Sequence, residues 1–315
     1  MDWGEKMKLT QGIRRKLIQF IAFGLSNLHA GNIVNGKLYT GPWKQFCNPG
    51  LHCYSCPAAT LSCPIGALQA VTGSMKFDFS FYVVGLLLAM GVVLGRFICG
   101  YLCPFGLIQE LIAKIPLKKF RLPRWVKYTK YVILLVFVII LPVAVTNFVG
   151  IGQPAFCQYI CPSGTLLGGV PLLSTHPELQ QTIGWLFGWK TFLLIAILIG
   201  CMLVYRFFCK AICPLGAIYG LLNKVSFYRL EVDENKCIHC GKCARVCQMD
   251  VNPVEHPQSA ECIRCGVCAA SCPTGAIRLG FGVFRRARKM RTDLACSSCG
   301  SCRGCSKNCS EAKEK

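Results

Sequence analysis

The chain has 315 residues, of which 53% are hydrophobic and 16% charged, with 24 cysteines and a formal charge of +21. A soluble domain carries about 25% charged residues, so this composition excludes an ordinary soluble enzyme and points to a protein in contact with lipid. The basic balance would also suit nucleic acid, but the charges fall beside apolar runs, where an anionic membrane face is the better partner and no nucleic acid is expected.

In chain order, residues 1–16 end in Arg14-Arg15-Lys16, and Leu17 to Val34 offers a first apolar run, interrupted by Gln19, Asn27, His29 and Asn32. A signal peptide is the competing reading, but no small-x-small pattern follows, which favours an uncleaved helix. The next stretch, FCNPGLHCYSCPAATLSCPIGAL, holds Cys47, Cys53, Cys56 and Cys63. Disulfide and metal-cluster readings are both open there. His52 is either a further ligand or a solvated loop residue.

Three more apolar runs follow: Phe79 to Gly95, Tyr131 to Val149 with a kink expected at Pro142, and Thr191 to Phe208 with Trp185 and Trp189 as interfacial anchors. Each approaches the roughly 20 residues that cross about 30 Å of hydrocarbon, giving four expected spans. Lys114, Lys118, Lys119, Arg121, Arg124, Lys127 and Lys130 lie between the second and third runs, whereas residues 150–189 hold no Lys or Arg. The basic side is the cytoplasmic one, so the expectation is a multi-pass plasma-membrane protein with both termini in the cytoplasm.

The run ends repeat. RFICGYLCPFGLIQELIAKI from Arg96 aligns without a gap on RFFCKAICPLGAIYGLLNKV from Arg206, placing Cys99 with Cys103 and Cys209 with Cys213 in Cys-x3-Cys-Pro motifs at expected inner ends. CPIGAL at Cys63 has its counterpart in CPSGTL at Cys161, preceded by Cys157, at the expected outer face. Cysteines four apart share a helical face, so the two inner pairs could converge on one shared metal centre, with Cys157 and Cys161 as further redox thiols or cluster ligands. Cys201, alone in its run, reads as a small buried hydrophobe.

The sharpest motif comes next. CIHCGKCARVCQ and CIRCGVCAASCPTGAI each carry Cys-x2-Cys-x2-Cys-x3-Cys, the bacterial iron–sulfur run, whose fourth cysteine ligates the other cluster of a two-cluster protein. Two [4Fe–4S] clusters are expected, one on Cys237, Cys240, Cys243 and Cys272 and the other on Cys262, Cys265, Cys268 and Cys247. Structural zinc pairs its knuckles across longer gaps, and disulfide frameworks belong to small secreted domains. Beyond Ile277 lies a basic stretch, FRRARKMR, and then CSSCGSCRGCSKNC, whose Cys299, Cys302, Cys305 and Cys309 repeat the spacing without apolar cover. A labile cluster, a metal hook and a disordered tail all fit it.

RFICGYLCPFG, RFFCKAICPLG and the two iron–sulfur runs resemble the membrane polyferredoxins, namely the NapH-type quinol-dehydrogenase subunit and the membrane half of the NosR type. The resemblance implies electron transfer between a membrane donor, often quinol, and a partner redox protein. The Cys-rich segments at 47–63 and 296–309 depart from that pattern. SGTL at Ser163 lacks the flavin-attachment sequence, so no flavin is expected.

The expected fold is an α-helical membrane protein of about four transmembrane helices in two repeated hairpins, with a small α+β two-cluster ferredoxin-like domain. The expected divisions are 1–228 for the membrane part, 229–281 for the ferredoxin part and 282–315 for the tail. The function expected is iron–sulfur electron transfer, as a subunit rather than a stand-alone enzyme, since the apolar runs contain no Asp, Glu or Lys. Copper reduction or delivery to a partner metalloenzyme is the alternative, with a thiol redox sensor behind it.

Overall fold

The computed structural model describes residues 3–74, 81–146 and 152–282, and Met1–Phe281 makes one compact unit. The 296–309 cysteine run lies outside the described residues, as do the ends of two expected spans at 79–80 and 147–149.

Helix α1 (Trp3–Ser26) places Arg15 and Gln19 one turn apart on one face. Both are buried: Arg15 pairs with Glu110 at 2.7 Å, and Gln19 Nε2 donates to the Gly100 carbonyl at 2.8 Å. Leu17, Phe20, Ile21 and Leu25 stay exposed. Four short helices then start in the same way, α2 (Pro64–Gly73), α5 (Pro104–Ile112), α8 (Pro162–Gly164) and α11 (Pro214–Leu222), each with a cysteine at its N-cap and proline at its first position. Proline is pre-set for that position and lacks only an N–H that would go unpaired there. Between them lie α3 (Phe81–Leu94), α4 (Phe97–Tyr101), α6 (Trp125–Ala144), α7 (Ala155–Tyr159), α9 (Trp185–Leu203) and α10 (Phe207–Ala211). The middle of α6, Leu134–Ile140, widens into a π-helix just before Pro142, whose missing donor interrupts the regular ladder.

The expectation of four spans fails. Among the described residues, two helices are long and apolar enough to cross a membrane, α6 and α9. The 14 described residues of α3 extend roughly 21 Å, short of about 30 Å of hydrocarbon. Helix α1 carries Arg14, Arg15 and Lys16 ahead of the Leu17–Val34 run, and its Arg15 and Gln19 are spent on α5 and α4. Hydropathy along the chain could not separate a lipid-facing helix from one that packs against other helices. Nor do the Cys-x3-Cys pairs share one helical face: Cys99 lies in α4 and Cys103 caps α5, so each pair straddles a break.

The C-terminal part is a small α+β unit. Strand β1 (Tyr228–Val232) pairs antiparallel with β2 (Ile277–Phe281), Tyr228 opposite Phe281 and Val232 opposite Ile277. Helices α12 (Lys242–Arg245) and α13 (Val267–Ser271) lie between them in the chain. Helix α1 packs on α13, joining this unit to the helical part.

Candidate metal centres

Both iron–sulfur runs curl in the same way. His239 and Gly241 are left-handed (φ 50° and 69°), as are Arg264 and Gly266 (φ 53° and 78°). Loops that pass through this region turn successive N–H groups into a concavity that suits an anionic centre, and iron–sulfur sites use it. Two non-glycine residues held at positive φ cost of order 1 kcal/mol each, so the loop shape is held by its surroundings. Cys247 lies close to Cys262, Cys265 and Cys268, while Cys243 and Cys272 share a small core with Leu230 and Ile277. The donor set therefore suits iron–sulfur clusters.

The two runs differ in exposure. Cys240 and Ile238 of the first reach solvent, whereas Ile263 and Arg264 of the second are buried. The second run is seated on α4: the Tyr101 hydroxyl donates to the Cys265 carbonyl at 3.4 Å, and a Cβ on Gly100 would stand 2.7 Å from the Ile263 carbonyl oxygen. Only glycine lets the two backbones come so near.

On the other side of that contact, Cys99, Cys103, Cys209 and Cys213 are all buried and near enough for their charges to interact. The two repeats hold each other reciprocally. Arg96 Nη2 donates to the Cys209 carbonyl at 3.1 Å, and Arg206 Nη1 donates to the Cys99 carbonyl. Each guanidinium also sits over the other repeat's glycine, Arg96 over Gly216 and Arg206 over Gly106, where a Cβ would come within 3.2 and 3.3 Å.

Both arginines are fully buried and need buried counter-charges. Arg206 meets Glu110 at 2.6 Å, and Glu110 also accepts from Arg15 and Tyr205. Arg96 meets Glu261 at 2.8 Å, and Lys130 pairs with the same carboxylate. Burial alone would raise the Glu261 carboxyl, but Arg96 and Lys130 overcome it and hold it down at about 2. Glu261 adjoins Cys262, so the charge network joins this quartet to the second run.

Burial pushes the Cys103 thiol up to about 12, with Cys209 and Cys99 adding to it, and pushes Cys213 well up. Thiolates in such a place need cationic compensation and N–H donors, and both are present. Gln109 Nε2 donates to Cys209 Sγ at 3.1 Å, Gly216 N–H faces Cys213 Sγ at 3.4 Å, and the Gly106 and Leu51 N–H groups face Cys103. Among the described residues no three His, Cys, Asp or Glu side chains converge closely enough to hold a single metal ion. A cube spreads its four thiolates around an inorganic body, so its ligands need not converge as those of a single ion do.

The Cys63 set lies near the Cys99 quartet. Leu51 N–H faces Cys103, and the next residue, His52, turns its N–H to Cys63. A Cβ on Gly50 would lie 2.6 Å from Cys103 Cα. Along α9, Lys190 donates to the Cys157 carbonyl and Cys201 Sγ lies 3.7 Å from Gln109 Oε1. Those eleven positions span roughly 16 Å at about 1.5 Å per residue, half of a bilayer's hydrocarbon. Cys157 and Cys161 lie close to Cys63 and Cys53. His52 is fully buried rather than solvated, and its ring nitrogens have no hydrogen-bond partner.

Comparison with known proteins agrees with this cysteine chemistry. A family described as a 4Fe-4S binding domain matches residues 77–123, 131–176 and 181–229, and a second of the same description matches 230–251 and 258–278. The uncharacterized protein MJ0750 of Methanocaldococcus jannaschii is 30% identical over 207 residues, covering 64% of this chain and 79% of its own. The chain belongs to the 4Fe-4S polyferredoxin family.

Two further relatives of this polyferredoxin are the uncharacterized protein MJ0749 of the same archaeon and the methylamine utilization ferredoxin-type protein MauN of Methylorubrum extorquens. MJ0749 is 28% identical over 66% of this chain and 72% of its own, and MauN 25% identical over 59% and 60%. No solved structure matches it. The polyferredoxin is thus an iron–sulfur protein of the electron-transfer class that binds 4Fe–4S clusters. Sequence reasoning passed over Gln109, Gln69 and the Arg96–Glu261 and Arg206–Glu110 pairs. A signal for the glutamines was present, since CPFGLIQ and CPIGALQ share a glutamine six residues after the cysteine.

Proposed function

We propose that this polyferredoxin is a membrane-anchored electron carrier in which a centre on Cys99, Cys103, Cys209 and Cys213 follows two ferredoxin centres. The ferredoxin centres are held by Cys237, Cys240, Cys243 and Cys272, and by Cys262, Cys265, Cys268 and Cys247. What supports the reading most is the reciprocal grip of Arg96 and Arg206 on the two Cys-x3-Cys repeats, set directly against the Cys262–Cys265 loop. Bound [4Fe–4S] clusters supply one-electron storage. The chain's own part is to keep water out, donate N–H groups to sulfur and fix the charge around each centre.

The exposed Cys240 end, with Ile238 and Lys242 beside it, is where a soluble redox partner would dock. Helices α6 and α9 are proposed to enter the bilayer: Val132, Leu135, Phe192, Ile195 and Ile199 leave their large apolar side chains uncovered. The segment joining them, with no Lys or Arg at 150–189, would face away from the cytoplasm.

Iron and acid-labile sulfide counted on anaerobically purified protein test the central claim. Replacing Cys99 and Cys209 by alanine should remove about four irons per chain and leave the ferredoxin EPR signals in place. An unchanged iron count would refute it. The anchor is tested separately by whether the chain stays with membranes through an alkaline carbonate wash.

A further inference from the structure

The repeat that builds the Cys99 quartet occurs a second time. In the first copy, Cys103 caps α5, Gln109 lies six residues on, its Nε2 donates to Cys209 Sγ at 3.1 Å, and its Oε1 accepts the Cys209 N–H at 3.4 Å. In the second, Cys63 caps α2, Gln69 lies six residues on, its Nε2 donates to Cys157 Sγ at 3.2 Å, and its Oε1 accepts the Phe156 N–H at 2.9 Å. Both glutamines are buried. A buried amide that points its N–H at a sulfur in both copies is what a thiolate ligand requires.

The remaining sulfur positions follow. Cys161 caps α8, and the N–H groups of Ser163 and Gly164 face its thiol. Cys53 Sγ overhangs Gly164, where a Cβ would come within 3.2 Å of it, and the Ser55 and Cys56 N–H groups face Cys53. Cys63 receives the N–H groups of Gly66, Ile65 and His52. Ser163 is fully buried with an unpartnered Oγ, and Thr165 Oγ1 is also buried and unpartnered. Orphaned hydroxyls beside a cysteine turn are costly unless something there accepts from them.

We propose that Cys53, Cys63, Cys157 and Cys161 hold a further [4Fe–4S] cluster, which completes a row of centres ending at this quartet. It lies next to the Cys99 quartet, because the consecutive residues Leu51 and His52 face Cys103 and Cys63. Cys53 and Cys63 fall outside the residues matched by the 4Fe-4S families. The other two cysteines of the segment are not part of it: the Cys56 thiol donates to the Leu167 carbonyl at 3.0 Å, and Cys47 lies in the pocket with Tyr219 and Pro64. In this set the ligands come from a segment and a pair that the chain keeps about a hundred residues apart, as in the Cys99 quartet.

The test uses full-length protein purified without oxygen. Alanine at Cys53 and Cys161 should lower iron and labile sulfide by about four per chain, in addition to the loss caused by alanine at Cys99 and Cys209. Cys47→Ala and Cys56→Ala should each leave the count at the wild-type value. Gln69→Leu, which spares every thiol, should keep the iron and shift one midpoint potential downward. An unchanged count in the Cys53/Cys161 variant, a disulfide between any two of the four in the anaerobic protein, or loss of iron on removing Cys56 would overturn the assignment. So would a Gln69→Leu protein with every midpoint unmoved. Loss of iron from the Cys53/Cys161 variant alone, with none from the Cys99/Cys209 variant, would leave this site standing and refute the Cys99 centre.

Discussion

Replacing Glu261 by glutamine should be among the most damaging single changes outside the cysteines. The carboxylate neutralises Arg96 and Lys130, both fully buried, and glutamine keeps the shape while leaving two cations without a counter-ion. Breaking a buried pair in this way costs about 3–5 kcal/mol. The pKa of the group gives a matching magnitude: a carboxyl held at about 2 against an ordinary 4.5 corresponds to about 3 kcal/mol. Because the folded value is depressed, this stabilisation is fully present above the unfolded value and is lost as pH falls toward 2. Between about pH 5 and 7 the gap between wild type and Glu261→Gln should therefore be constant. Thermal unfolding of the anaerobic protein should show a midpoint lower by roughly 10 °C. A change of less than about 1 °C, or a gap that grows steadily between about pH 5 and 7, would refute the reasoning.

Other outcomes follow from the same contacts. Gln109→Leu should retain iron but lower the potential of the Cys99 centre by roughly 40 mV, since a donor to sulfur worth about 1 kcal/mol favours the more negative reduced state; a redox titration followed by EPR reads it. Gly100→Ala should cost about 1–3 kcal/mol, because the new methyl meets the Ile263 carbonyl at 2.7 Å, whereas Gly241→Ala meets nothing within 4 Å and should cost about 1 kcal/mol through its positive φ alone. Their melting curves should rank in that order. Glu110→Gln should destabilise by about 3–5 kcal/mol and loosen the N-terminal helix, since Arg15 and Arg206 then both lose their counter-charge; hydrogen exchange at residues 12–26 reports it.

The cysteine spacing made the ferredoxin part legible, because Cys-x2-Cys-x2-Cys-x3-Cys is the spacing of an iron–sulfur run, and the duplicated RF-x-C segment pointed to the packing of the two repeats on each other. The span count was not legible. The Phe79–Gly95 run is as apolar as α6, yet its described helix has 14 residues, and Arg15, just ahead of the Leu17–Val34 run, and Gln19 within it find partners, Glu110 and the Gly100 carbonyl, that lie far away in sequence. The four-span reading also placed Cys63 and Cys103 across a bilayer, where a loop brings them together. Long-range partners of buried charge, such as Arg96 with Glu261, leave no local trace at all.

The consecutive N–H groups of Leu51 and His52 each face a different sulfur set, Cys103 and Cys63. The two amide planes meet at the Leu51 Cα, so seating one side restricts the tilt available to the other. On the proposed assignment, filling one of the two pools would favour filling of the other. A chain arrested with only one pool filled would already carry the backbone posture its neighbour needs.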